Sequence, residues 1–254
     1  MIRSLRQQLA SHRSVILHWA MEITVVVIGV LIALVVQQWA ADRGARQRAA
    51  DAEDRIRSEM LGNAAIMVKR IALYPCLKRR ADELMAGLSS GRRDWRLPLA
   101  AAGGRPAARV VYAKPVRTIV SDAFRDSVSR GDLDAMAPER VAALSGVYTS
   151  LDRLDRMATE EQQLSDSLRP LMYAVPTQEE GRDRMIAAVA RLASINQLMQ
   201  VISGQQLNAL TTDAGIRLPA AEFMPLYGAG LASLRQAYGG CVDAQANKAL
   251  AMPG

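Results

Sequence analysis

Apolar residues are distributed along this chain in two different ways. From Ile23 to Val36 they form a run of 14 residues without a charge, Ile23-Thr-Val-Val-Val-Ile-Gly-Val-Leu-Ile-Ala-Leu-Val-Val36. Elsewhere they recur every three or four positions, which is the spacing of one face of a helix. The run alone is short for a bilayer core, which takes about 20 apolar residues at ~1.5 Å each. Extending it back through Val15-Ile-Leu-His-Trp-Ala-Met21 reaches that length, with His18 and Glu22 as interruptions. Trp19 and Trp39 stand 20 residues apart, which is about 30 Å along a helix and matches the two interfacial belts of a membrane. The pattern predicts a single membrane-spanning helix over 15–39, preceded by a basic leader over 1–14. A buried core helix is the alternative, but no other stretch is apolar enough to surround it. A cleaved signal peptide is disfavoured, because the charged leader is long and Trp39 stands where cleavage wants small residues.

After Trp39 there is no proline until Pro75, and Ile56, Met60, Asn63, Met67, Ile71 and Tyr74 step by 4, 3, 4, 4 and 3. The spacing predicts that the membrane helix continues as an amphipathic stalk over 40–88, kinked or ended at Pro75 and resumed over 77–88. Residues 89–117 break the pattern with Gly91, Pro98, Gly103-Gly104, Pro106 and Pro115. They read as a long Gly/Pro-rich loop, or at most a hairpin around Arg109–Ala113.

The remainder, 118–254, reads as a helical bundle. Thr118–Ser129 forms a short helix ended by Arg130-Gly131. Pro138 opens a longer helix with Val141, Leu144, Tyr148, Leu151, Leu154 and Ala158 on its inner face, and Pro170 and Pro176 mark its end. Thr177-Gln-Glu-Glu180 has the spacing of a capping box for the next helix, which Met185, Leu192, Ile195, Met199, Ile202 and Leu210 line and Gly215 stops. Pro219 opens the last helix, where Tyr227, Leu231, Leu234, Tyr238, Cys241 and Gln245 step by 4, 3, 4, 3 and 4, a heptad seam. The predicted fold class is all-α: one transmembrane helix continuing into a stalk and an antiparallel helical bundle.

Composition agrees, since aromatics are only 4% of the 254 residues while Ala, Leu, Arg and Met are abundant. It also limits the chemistry. The only histidines are His12 and His18, which takes Ser-His-Asp and Cys-His catalysis and His-ligated zinc out of the main body. With no Gly-rich phosphate loop and no metal-ligand cluster, the reading assigns no catalytic, cofactor-binding or metal-ligating residues and expects no enzyme. The pairs Glu160-Glu161 and Glu179-Glu180 do not change this, because adjacent glutamates on a helix point in different directions.

Charge is uneven: residues 37–117 carry 17 Lys/Arg against 8 Asp/Glu, and 118–254 carry 12 against 16. The first stretch is therefore suited to attract the second, or to face anionic headgroups. The basic run Lys78-Arg79-Arg80, with Arg92, Arg93 and Arg96, reads as a phosphate contact or as a solvated helix face. Nucleic acid is not an expected partner, because only Trp95 and Tyr112 lie near these cations to stack on bases.

The Lys/Arg count does not orient the span, since Arg3, Arg6 and Arg13 precede it and Arg43, Arg46, Arg48 and Arg55 follow it. Cys76 and Cys241 both follow the span, and an isolated pair suits an oxidising compartment. A disulfide between them is the reading taken, with two separate buried thiols as the alternative. The N-terminus is then cytoplasmic and residues 40–254 periplasmic in a bacterial inner membrane. Ile2, Leu5 and Leu9 share a face of the leader, which either lies on the anionic leaflet or is a soluble basic tail. Glu22, at the membrane edge, is either a functional intramembrane carboxylate or a snorkelling side chain near Trp19. Gly29 and Ala33 are spaced for close helix packing.

Glu22-Ile-x-Val-Val-Val-Ile-Gly29-Val-Leu-Ile-Ala-Leu34, followed by Trp39, resembles the opening of a widespread family of uncharacterised bacterial single-pass membrane proteins. A second block, Ser121–Tyr148, with its Ser129-Arg-Gly131-Asp-Leu133 turn and Leu144-x-x-x-Tyr148 helix end, is similar to that family's second block. Gln37-Gln38 stand where the family more often has asparagines. The family has no assigned activity, so the resemblance implies membrane placement and helical architecture, and it raises Glu22, Gly29 and Trp39. The expected function is a membrane-anchored periplasmic interaction or scaffold module, in contact with lipid and with a protein partner or a second copy. The alternatives are a ligand-sensing bundle and an accessory subunit of an ion-driven complex that uses Glu22.

Overall fold

The computed structural model describes residues 2–92, 95, 100–101, 109–112, 119–173, 178–216, 220–243 and 246, and, with few exceptions, side chains from His18 onward. The leader's side chains, and the expectations placed on Pro98, Gly103-Gly104, Pro106, Pro115, Pro176, Thr177, Pro219 and Gln245, lie outside the described residues. The fold is all-α. Helix α1 runs unbroken from Ile2 to Ser89, 88 residues, and is followed by α2 (Asp122–Ser129), α3 (Pro138–Ser167), α4 (Glu179–Thr212) and α5 (Ala220–Tyr238). Single 3-10 turns at Arg169–Met172 and Gly239–Cys241 close α3 and α5. Within the expected loop, β1 (Ala100–Ala101) pairs antiparallel with β2 (Arg109–Val110), so a minimal hairpin forms there.

Pro75 sits inside α1 and neither ends the helix nor makes it restart. It has no N–H to offer the carbonyl of Ile71. The next carbonyl, that of Ala72, takes an outside donor, the Asp243 N–H at 2.8 Å. The helix persists because packing rather than propensity holds it: Cys76, Leu77, Ala81, Leu84 and Leu88, all beyond the proline, are buried. From Ala49 onward α1 is therefore part of the bundle itself. It is the bundle's central helix, with Ala52, Ile56, Met60, Ala64, Val68 and Leu73 in one continuous core.

Helix α4 packs along both α1 and α3, and α5 packs along α1. The order of cross-contacts sets the directions. Glu53, Glu59 and Arg70 meet Arg140, Tyr148 and Glu161 in turn, so α3 runs parallel to α1. Arg57, Lys69 and Cys76 meet Glu222, Gly230 and Cys241, so α5 does too. Only α4 runs the other way among these long helices. Consecutive long helices of 118–254 are thus antiparallel, α3 against α4 and α4 against α5, as expected, and α1 is parallel to α3 because α2 and α3 begin back at the start of the bundle, at Asn63 and Glu53 of α1.

Polar groups on α1 make that return specific. Asn63 fills an apolar step of the sequence pattern, is buried, and clamps the Val120 peptide by donating to its carbonyl (2.7 Å) and accepting from its N–H (3.0 Å). Glu59 accepts the Ala123 N–H at 2.8 Å, capping the start of α2 from another helix, and accepts the Tyr148 hydroxyl at 2.5 Å. Such a partner is needed because α2 has no cap from its own Ser121. Helix α4 starts at Glu179 behind Gln178, whose side chain makes no cap bond, and its first-turn glutamates, Glu179 and Glu180, favour it through the helix dipole. Gly215 (φ +55°) stops α4 in a left-handed conformation that an L side chain disfavours, as the sequence pattern expects.

Cys76 and Cys241 form a disulfide across 165 residues of sequence, with Cα atoms 5.1 Å apart. It ties α1 to the end of α5 one turn beyond the Ala72–Asp243 bond. Chain-entropy reasoning gives such a closure about 5 kcal/mol at most. Reducing it, or replacing Cys241 by Ser, is expected to lower unfolding stability by about 3–5 kcal/mol, read from denaturant titrations with and without reductant. Coincident curves would contradict the clasp.

Candidate functional site

Two regions of α1 stand out. The first is its apolar segment: every residue from His18 to Ala40 is exposed, and its most apolar window has a mean hydropathy of 2.6. The segment is long and apolar enough to cross a membrane. Trp19, Glu22, Gly29, Ala33 and Trp39 all lie on it. No side chain covers Gly29 within 4 Å, and the Arg43 guanidinium lies over the Trp39 ring, 5.7 Å from its centroid, a cation–π contact at the end of the apolar stretch. Helix α4 also reaches a mean hydropathy of 1.4, but Val189, Leu192, Ile195, Met199 and Leu207 commit one face of it to the core.

The second region is the interior of the bundle around Arg70. Its guanidinium is buried and makes a two-pronged ion pair with Glu161, Nη1 to Oε2 at 2.8 Å and Nη2 to Oε1 at 2.9 Å. Nη2 also donates to Asn196 Oδ1, whose amide nitrogen is fixed on the Leu192 carbonyl at 2.7 Å. The Tyr112 hydroxyl reaches Glu161 at 3.4 Å. Burial pushes the Tyr112 phenol well above its ordinary range, helped by the Glu161 charge. Tyr148 is raised in the same way, by burial and by its bond to Glu59, and Tyr238 is raised mainly by burial. Beside the ion pair lies a cavity of about 580 Å³, bounded by α1, α3, α4 and α5.

The hydrophobic pattern alone passes over this cluster. In α1 the true buried step after Met67 is Arg70, while Ile71 is only half-buried. In α3 the seam through Leu151, Leu154 and Ala158 arrives next at Glu161, and in α4 Asn196 sits beside Ile195. The signal was present: an arginine, a glutamate and an asparagine each fall on an otherwise apolar seam. Glu160 and Glu161 do diverge as expected, Glu160 pairing at the surface with Arg191 (2.7 Å) and Glu161 turning inward.

The basic run is not an open phosphate patch. Lys78 pairs with Asp82 and Arg79 with Glu83, while Arg80 is buried, with Nε on the Val111 carbonyl at 2.8 Å. The charge imbalance of the sequence appears instead as cross-helix pairs, Arg55 with Asp132 and Arg57 with Glu222. Tyr112 is buried and the Trp95 ring lies against Gly87, so neither is displayed as a stacking platform.

No protein-family model matches the chain, and no curated protein and no solved structure matches it significantly.

Two outcomes follow from the interior. Glu161→Gln strands the Arg70 charge and is expected to cost about 3–5 kcal/mol, whereas the double variant Arg70→Met/Glu161→Leu recovers most of it. Denaturant unfolding of the three proteins checks this, and a double variant as weak as the single one would show that the charges are not coupled. A phenol whose folded pKa is raised contributes stability that is complete below its unfolded value of about 10 and is lost at higher pH. Unfolding free energy is therefore expected to fall above pH ~10, by up to ~1.4 kcal/mol per pH unit for each buried tyrosine. Tyr148→Phe should remove its share of that slope when stability is measured against pH.

Proposed function

We propose that the chain is a membrane-anchored helical interaction module of a bacterial inner membrane. One observation carries this reading: a single helix is exposed and apolar over 18–40, yet from Ala49 to Leu88 it is the core of a bundle. Water disfavours so large an apolar surface, and a bilayer accommodates it. Residues 15–39 are the span, with Trp19 and Trp39 at the two interfaces. The disulfide supports a bundle in an oxidising compartment, hence a periplasmic domain and a cytoplasmic N-terminus. At ~100° per residue, Glu22, Gly29 and Ala33 fall within about 40° of one another on the span. Close packing at Gly29/Ala33 and a hydrogen bond or ion pair to Glu22 are the contacts a partner helix, or a second copy, would make there. Lipid covers the remaining faces. The reading involves no catalysis, cofactor or nucleic acid.

Crosslinking in intact cells, purification through a C-terminal tag and mass spectrometry test it. The expected result is a reproducible membrane-protein partner or a crosslinked second copy, its yield reduced several-fold by Glu22→Gln or Gly29→Leu. Recovery of the uncrosslinked chain alone, from the soluble fraction, would contradict the proposal.

A further inference from the structure

The cavity beside the Arg70–Glu161 pair follows from how the helices pair. Helix α1 packs on α4 and on α5, and α3 packs on α4, so α3 and α5 are left on either side of a gap. Residues too small to close it line it: Ala158 on α3, Ser203 on α4, and Ala229, Gly230 and Ser233 on α5. Pro225, inside α5, removes a backbone hydrogen bond from that wall. Met67, Leu154 and Met199 make a buried apolar floor, and the exposed α5 residues Pro225, Ala229 and Ser233 form the mouth. At about 580 Å³ the space has the size of a small-molecule site, ~300–1,000 Å³.

The polar groups of this space decide what kind of molecule fits. Every charge on the described lining is engaged, Arg70 and Glu161 with each other at 2.8 and 2.9 Å, and Lys69 with a partner of its own. The methylene stem of Lys69 lies against Gly230, where an added Cβ would fall 1.8 Å from its Cε, so it adds apolar surface at the rim. An ionic ligand would find no free counter-charge here, and burying an unpaired charge is heavily penalised. One polar group is left over. Ser203 is 1% exposed and lines the cavity, and its hydroxyl makes no hydrogen bond with a described residue. Helical hydroxyls commonly donate to the carbonyl one turn back, as Thr149 and Ser150 do on α3 at 2.8 and 3.3 Å. Ser203 does not, and a buried hydroxyl without a partner is costly.

We propose that this cavity binds a small neutral molecule with an apolar body and a single hydrogen-bonding oxygen. The body lies between α3 and α5 over Met67, Leu154 and Met199, and the oxygen meets the Ser203 hydroxyl. The site goes beyond the anchoring reading and does not rest on it, because it is formed wholly within the bundle.

The test titrates the full chain, held in amphipol, with N-phenyl-1-naphthylamine, a neutral dye that brightens in apolar surroundings. Binding is the saturable part of the signal, above the linear rise from partition into the amphipol, and one site per chain is expected. The dye 8-anilinonaphthalene-1-sulfonate, which has the same body and a sulfonate, should bind at least about tenfold more weakly. Ala158→Trp, which fills the cavity from α3, should abolish the saturable signal. Ala229→Trp, at the exposed mouth where folding is not at risk, should weaken it at least about tenfold. As competitors of the neutral dye, 1-naphthol should bind about fivefold more tightly than naphthalene, and Ser203→Ala should erase that difference. An intact Cys76–Cys241 bond on a non-reducing gel and unchanged helical circular dichroism confirm that each variant is folded. No saturable binding of the neutral dye, binding that survives both tryptophan variants, or equal affinity for the sulfonate would overturn the proposal. So would a naphthol preference that is absent, or that Ser203→Ala leaves unchanged. None of these results depends on whether the span lies in a bilayer in the cell.

Discussion

One continuous helix has to satisfy opposite demands along a single axis, and the rest of the structure follows from that constraint. Over residues 18–40, α1 shows apolar side chains in every direction. From Ala49 onward the same helix commits one side to the core, where Ala52, Met60, Ala64, Val68 and Leu84 are fully buried, and keeps a polar side with Asp51, Glu53, Arg79 and Asp82 exposed. Its small side chains, Ala52, Ala64, Ala72 and Ala81, let neighbouring backbones approach closely, while Ile56, Met67, Leu73 and Leu77 fill the space between them. With no break between the halves, the position of the bundle relative to the apolar segment is fixed by helix geometry rather than by a flexible linker.

A central helix surrounded by others must hold its neighbours in register, and here buried polar groups do so. Asn63 fixes the Val120 peptide, Glu59 caps α2 and holds Tyr148, and Arg70 joins α3 and α4 through Glu161 and Asn196. Each contact is specific to one pairing, whereas apolar seams tolerate a slip by a turn. A buried ion pair adds little net stability over an apolar replacement, but a misregistered one would leave a charge without its partner. The disulfide and the Ala72–Asp243 bond then fasten the end of α5 where Pro75 has loosened the backbone pairing of α1.

Much of this architecture was legible in the sequence. The unbroken run at 23–36, the openings and ends of α3 and α4 at Pro138 and Gly215, and the pairing of Cys76 with Cys241 all follow from local rules. Other features were not, because they depend on long-range contacts. Pro75 is a helix breaker by its own chemistry, and only burial of the residues after it keeps α1 intact. Helix α2 begins at Asp122 rather than Thr118 because Glu59, more than sixty residues earlier, supplies the cap. The parallel course of α3 and α5 depends on where the Gly/Pro-rich connection returns the chain. The cavity is harder still to read, since it arises from small residues on three helices that meet only in the folded bundle.

The central claim is that one helix passes from a bilayer into the core of the bundle, and tryptophan quenching tests it directly. The three tryptophans report on the relevant places: Trp19 and Trp39 at the ends of the proposed span, and Trp95 on the bundle against Gly87. Single-tryptophan variants in vesicles are measured with lipids brominated either near the headgroup or near the bilayer centre. The account predicts that Trp19 and Trp39 are quenched, more strongly by the shallow bromines than by the deep ones, and that Trp95 is not quenched at all. Trp19 and Trp39 left unquenched, or Trp95 quenched equally with them, would contradict it.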